Sequence, residues 1–164
     1  MEEKIANEIL DILQNNGKAL PSDITKMIGI DEETVGLTIK QLEKDKVIAK
    51  YCAVINREKL EGEYAEALVE VGVTPQRDRG YDDVAKRIYR FPEVKAVYLM
   101  SGTYDLAVML ESDNVKKISK FVFEKLAVID GVRKTATHFI MRKYKEQGAI
   151  FAEEERDTRL VVSP

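Results

Sequence analysis

Apolar residues at Ile5, Ile9, Ile12 and Leu13 fall at i, i+4, i+7 and i+8, one stripe of an amphipathic helix. Asn15-Asn16-Gly17 ends it. A second short helix follows, with Pro21 near its first turn, where a missing N–H costs nothing, and Ile24, Met27 and Ile28 as its apolar positions. Gly29 breaks the chain. Asp31 is a favourable N-cap for a third helix, with Glu32 and Glu33 near the positive end of its dipole and Val35, Ile39 and Leu42 facing inward. Val47-Ile48-Ala49-Lys50-Tyr51 reads as a short extended segment. This order fits a helix-turn-helix, and equally a small helical domain that touches no DNA.

The period then changes. After the polar stretch 56–63 (NREKLEGE), Ala65, Ala67, Val69, Val71 and Val73 alternate along one strand face, with Glu66 and Glu70 opposite. Residues 74–80 (TPQRDRG) read as a loop. Val84, Ala85, Ile88 and Phe91 mark a helix that stops before Pro92. Residues 94–110 (VKAVYLMSGTYDLAVML) are two apolar strands facing each other across a Ser101-Gly102 turn, since glycine adopts the positive φ of a tight hairpin. Val115, Ile118, Val122 and Leu126 are the inward side of another helix, with Lys116, Lys117, Lys120 and Lys125 outward. Ile129-Asp130-Gly131 turns the chain into a last strand, 132–144.

The order βαββαβ predicts a ferredoxin-like domain, a four-stranded antiparallel sheet with two helices on one face. The fold class is therefore α+β. A helix-turn-helix domain is expected over 1–55, a linker over 56–63, the sandwich over 64–147, and a charged tail over 148–164. In that tail Glu153 to Asp157 are charged, and Leu160-Val161-Val162 either adds an edge strand or frays. The open sheet face is not uniformly polar, and a second copy of the chain is the expected cover.

Composition trims the function classes. The 164 residues carry one cysteine, Cys52, and one histidine, His138. An intramolecular disulfide is excluded, and a thiolate or histidine metal centre within one chain has too few ligands. No phosphate-loop, dinucleotide or zinc-protease spacing is present, so no enzyme and no cofactor is expected. The acidic start, MEEKIANEIL, has no apolar export core, and the cytoplasm is the expected compartment. Net charge is −3, unlike a protein that coats nucleic acid non-specifically.

Three stretches together carry a resemblance: Thr34-Val35 with Leu42-Glu43 ahead of residues 47–51, Phe91-Pro92-Glu93-Val94 before the hairpin, and Ser101-Gly102-Thr103-Tyr104-Asp105-Leu106 at the turn. In this order they resemble the Lrp/AsnC family, the leucine-responsive and asparagine-sensing regulators. The resemblance implies an amino-acid-responsive regulator of promoter DNA that works as a dimer assembling further, to octamers. The amino-acid effector would lie between sensor domains, on Ser101, Gly102, Tyr104 and Asp105, with Thr135 and Thr137 of the last strand completing the pocket. A carboxylate such as Asp105 suits an α-ammonium group, and amides and hydroxyls suit an α-carboxylate.

On the DNA side the candidates are Thr34, Leu37, Thr38, Lys40, Gln41 and Lys44, with Lys26 of the preceding helix. Leu37 and Thr38 stand where family members commonly carry arginine. Gly36 lowers helix stability by roughly 1 kcal/mol relative to alanine. Residues 1–60 hold nine basic and eleven acidic side chains, a net −2. Gln41 suits adenine, and Leu37 or Thr38 a thymine methyl. The alternative is an amino-acid-binding oligomer with little DNA affinity that acts through protein contacts, for which an exposed Leu37 is suited.

Overall fold

The computed structural model describes residues 2–74 and 80–151. The expectations for Pro75–Arg79 and for the tail from residue 152 onward lie outside the described residues. Two compact units emerge: residues 2–55 together with 145–151, and Asn56–Tyr144.

The first unit holds α1 (Glu2–Asn15), α2 (Pro21–Ile28) and α3 (Glu32–Lys44). Ile9, Leu13, Ile24 and Val35 are its buried core, with Ile5, Ile12, Ile28, Ile39 and Ile48 packed around them. Met27, expected inward, is instead exposed. Gly29, at φ +71, closes α2 by donating its N–H to the Thr25 carbonyl. Asp31 caps α3, its carboxylate accepting from the Thr34 amide at 2.8 Å. That bond holds the Asp31 carboxyl below its ordinary range.

Residues 47–51 are not a strand. Lys46 takes φ +60, and the Ile48 amide donates to the Leu42 carbonyl at 3.1 Å, so the end of α3 folds back and drops Ile48 into the core. A hairpin not foreseen from sequence also belongs here: β5 (Lys145–Glu146) and β6 (Ala149–Ile150), labelled in chain order after the strands below. Its two-residue turn has Gln147 at φ +44 and Gly148 at φ +86, the pair of positive φ angles that matches strand twist. The compact unit that holds the sandwich runs to Tyr144.

The second unit runs β1 (Ala65–Val73), α4 (Asp82–Ile88), β2 (Val94–Leu99), β3 (Leu106–Ser112), α5 (Val115–Phe121) and β4 (Val132–Phe139). The strands order as β2-β3-β1-β4, all antiparallel, which is the expected ferredoxin-like sheet. Alternation along β1 sends Ala67, Val69 and Val71 into the core with Leu106, Val108 and Leu110 of β3. Val84, Ile88, Ile118, Phe121, Val122 and Leu126 close that core from the helices.

Three details depart from the pattern. After α5 the chain widens into a π-helical turn over Val122–Leu126, which turns Phe121, Val122 and Leu126 all inward. Val115 is exposed, not inward. The last strand stops at Phe139 instead of running to Tyr144, near where its partner β1 begins, and beyond it Lys143 pairs with Glu66 at 2.7 Å. Glu66 is the buried charged residue of the sheet, and its partner ammonium is what makes that burial tolerable.

Candidate effector loop and DNA-facing helix

The connection between β2 and β3 is longer than the sequence suggests. It spans six residues, Met100–Asp105, and not a two-residue Ser101-Gly102 turn. The Met100 amide donates to the Asp105 carbonyl at 2.8 Å, closing the loop at its base. The reason lies in β1, which extends beyond the start of β3 and leaves main-chain groups to satisfy. Asp105 satisfies them. Its N–H donates to the Val71 carbonyl at 3.1 Å, and its Oδ2 accepts the Val73 N–H at 2.7 Å. Gly102, at φ +148, occupies a conformation that side chains disfavour, although the space around a Cβ there is open.

The candidate effector residues are thus unevenly placed. Ser101 and Gly102 stand exposed at the tip, and Tyr104 and Asp105 are half-buried at the base. One Asp105 oxygen is committed to β1, so this side chain is a staple for the loop before it is a ligand for anything else. Thr135 lies opposite Val71, the residue whose carbonyl holds Asp105, and Thr137 lies opposite Val69. Both are half-buried and share the helix-covered face of the sheet with those valines. The sheet order puts β1 between them and β3. The structure brings Thr135 to the loop's end of the sheet and leaves Thr137 two residues further along.

Among the described residues of this unit, the helices pack on that one face and leave the other without a helix. Tyr98 on β2, Met109 on β3, Leu68 on β1 and Ala136 on β4 lie across it. Tyr98 is 55% exposed and Leu68 and Met109 are half-buried. His138 Nε2 approaches Glu70 Oε1 at 3.3 Å on the same face. At the far end of β1, Tyr64 is held neutral to higher pH than an ordinary phenol, by burial first and then by the charges of Glu66 and Glu111.

In the first unit, Thr34, Leu37, Thr38 and Gln41 recur at i, i+3, i+4 and i+7 along α3, away from the buried Val35. Leu37 is 60% exposed, as the sequence implied. Thr38 is half-buried and donates its hydroxyl to the Thr34 carbonyl at 2.8 Å, which leaves its methyl as the free contact. Gln41 donates from Nε2 to Asp45 Oδ2 at 2.8 Å, a partner not foreseen although the four-residue spacing was there to read. Lys40 and Lys44 are exposed. Lys26 sits 3.5 Å from Asp23 in a solvated pair that contributes little and opens readily.

Comparison with known proteins decides the family. The Lrp/AsnC ligand binding domain matches residues 66–150, slightly more than half of the chain. The chain belongs to the Lrp/AsnC family. It is 48% identical to the uncharacterized HTH-type transcriptional regulator YugG of Bacillus subtilis, covering 96% of this chain and 95% of that one. The HTH-type transcriptional regulator FL11 of Pyrococcus furiosus is 32% identical, covering 87% of this chain and 91% of that one.

Solved structures share the Lrp/AsnC fold. Transcriptional regulator NMB0573 of Neisseria meningitidis, determined with L-Met, aligns with a TM-score of 0.70 at 22% identity, covering 87% of this chain and 92% of that one. PH0061 aligns with a TM-score of 0.75 at 21% identity, covering 87% and 94%. The helix-turn-helix plus ferredoxin-like architecture expected from the sequence is the architecture of this family. Its curated relatives are transcriptional regulators. Among the described residues no helix is long and apolar enough to cross a membrane.

Proposed function

We propose that this regulator binds promoter DNA as an oligomer and responds to an amino acid seated at the Met100–Asp105 loop, between sensor domains. The observation that carries this reading is the double attachment of Asp105 to β1. A ligand that moves the loop must move the end of β1, and β1 is an inner strand that pairs with both β3 and β4. The loop presents amides, the Ser101 hydroxyl and the Tyr104 phenol to an α-carboxylate, and the second Asp105 oxygen to an ammonium group. The L-Met bound to the Neisseria regulator supports an amino acid as the ligand class.

The uncovered sheet face supports pairing with a second copy, because Tyr98, Leu68, Met109 and Ala136 make it partly apolar across all four strands. Oligomers offset the weak electrostatics of a head whose residues 1–60 carry a net charge of −2 by linking several heads. Thr34, Leu37, Thr38 and Gln41 face the bases, and Lys26, Lys40 and Lys44 serve the phosphates. Ligand binding changes regulation only as far as its affinity differs between assembly states.

The same net charge and the exposed Leu37 support the second reading, an amino-acid-binding oligomer acting through protein contacts. A gel-shift titration on the promoter of the protein's own gene, with and without a panel of amino acids, separates the two. The regulatory reading expects a shifted complex whose midpoint moves with one or a few amino acids. Gly102→Asp and Gly102→Ala share the backbone strain, but only the first adds a carboxylate where the ligand's own would lie. The expected result is loss of the amino-acid effect in Gly102→Asp and its retention in Gly102→Ala, with DNA affinity kept in both. An undiminished response in Gly102→Asp moves the pocket elsewhere. Absence of any shifted complex favours the second reading.

A further inference from the structure

The last strand is irregular beside the effector loop. Val73 pairs with Val132 and Gly72 with Lys134, so Arg133 is an extra residue on β4 without a partner on β1. The bulge breaks the alternation of the strand. Val132 packs against the core, Arg133 and Lys134 are both exposed, and Thr135 is half-buried again. Two neighbouring cations thus stand at the end of the sheet that holds the loop.

The side chain of Lys134 lies down over Gly72. A Cβ on that glycine would come within 2.7 Å of Lys134 Cγ and 3.0 Å of its Cε. Glycine weakens the interior of a strand, and this close approach accounts for its place in β1. On the other side of β1, continuing the register in which Val71 faces Leu106 sets Gly72 opposite Asp105. Asp105 holds the residues on both sides of Gly72, through the Val71 carbonyl and the Val73 amide. Lys134, Gly72 and Asp105 therefore form a row across three strands.

This row carries more positive charge than a neutral amino acid can use. Such a ligand has one ammonium group, which suits the second Asp105 oxygen, and one carboxylate, which suits the loop amides and hydroxyls. Arg133 and Lys134 have no ion-pair partner among the described residues. The neighbouring acids are placed elsewhere. Glu70 reaches His138 at 3.3 Å, and Asp130 stands on the preceding turn, where its carbonyl accepts from Arg87 at 3.5 Å. The group that two such cations accept best is a second carboxylate.

We propose that the effector is an acidic amino acid, aspartate or glutamate, and that Lys134, with Arg133 beside it, receives its side-chain carboxylate. This rests on the reading that the effector sits at the Met100–Asp105 loop and deepens it. It names the ligand class and adds two specificity-determining residues to the site.

The test is isothermal titration calorimetry of the full-length protein with L-aspartate, L-glutamate, L-asparagine, L-glutamine and L-methionine. Each acid and its amide share a shape and differ in charge. One of the acids is expected to bind at least about tenfold more tightly than its amide, the value of a hydrogen bond to a charged group. Lys134→Met keeps the stem over Gly72 and removes the ammonium group, and should bring acid and amide to within a few-fold of each other. Arg133→Gln should reduce the preference less. Gly72→Ala places a methyl group where Lys134 Cγ lies, and should lower the acid-to-amide ratio in the wild-type background and leave it unchanged in Lys134→Met. That ratio does not depend on the fraction of protein folded. Gly102→Asp should abolish binding of acid and amide alike.

An amide or L-methionine that binds as tightly as the acids, with binding lost in Gly102→Asp, overturns the proposal and leaves the effector loop standing. So does an acid preference that survives in Lys134→Met. If no amino acid binds, or if Gly102→Asp binds as the wild type does, the loop is not the effector site and the proposal falls with it.

Discussion

Asp105 shows how residue type and residue role part company. The sequence identifies a carboxylate beside a tight bend, which is sound chemistry for an ammonium ligand. The structure gives that carboxylate a prior task on the Val73 amide at 2.7 Å. Nothing in the local spacing announces Val73, because the contact spans 32 positions and depends on how far β1 overshoots β3. Replacing Asp105 by alanine leaves a partly buried N–H without its acceptor, a loss of about 1–3 kcal/mol. Asn at this position retains an oxygen for the same bond and should lose less than half as much. Urea denaturation of the three proteins measures the difference. Equal stability in wild type and Asp105→Ala would show that water replaces the staple at no cost. Gln41 presents the same lesson in milder form: its partner lies four residues away on its own helix, so the sequence contained the pair, but not the orientation it imposes.

The elements were legible wherever apolar period and terminating residues agree. α2 and α3 are bracketed by Pro21, Gly29 and Asp31, and β1 carries a small or branched apolar residue at every second position from Ala65 to Val73. Reading failed where the decision is made at long range. Residues 47–51 have the β-branched composition of a strand, yet Ile48 is worth more to the helical core than to a sheet with no neighbour. The β5–β6 hairpin was hidden because its turn uses Gln147 in a left-handed conformation, which glutamine does not advertise.

The helical unit is the more vulnerable of the two. Four residues are its buried core, against fourteen in the sandwich. Ile24, wholly buried at the centre of the shorter helix α2, is the position of greatest leverage. Ile24→Ala removes about 2–5 kcal/mol, a large fraction of what so small a core supplies. Hydrogen exchange should then lose protection across residues 5–44 and retain it in β1, β3 and β4, with DNA binding lost and amino-acid binding kept. Protection unchanged in α1 to α3 would mean that the helical unit draws its stability from more than this core.

At the scale of the whole molecule the decisive surface is the sheet face that no helix covers. Its residues come from all four strands, so that it exists only once the βαββαβ order has been closed into a sheet, and no window of sequence displays it. Leu68 and Met109 are cross-strand partners at its middle, and Ala96 flanks Met109 on the other side. A carboxylate at 109 sits among apolar neighbours on a face that already carries Glu66 and Glu70, and pairing over that face with a second copy would bury an added charge. Because the uncovered side is open to water in a lone chain, Met109→Glu should leave the isolated fold intact. The expected outcome is a shift from oligomer to monomer in sedimentation velocity at unchanged far-ultraviolet circular dichroism. Affinity for promoter DNA should fall by one to two orders of magnitude, because a lone head loses the avidity that linked heads provide. A variant that sediments as the wild type does would assign oligomerisation to another surface. The shared use of β1 by the sheet face and the effector loop would then no longer connect ligand to assembly.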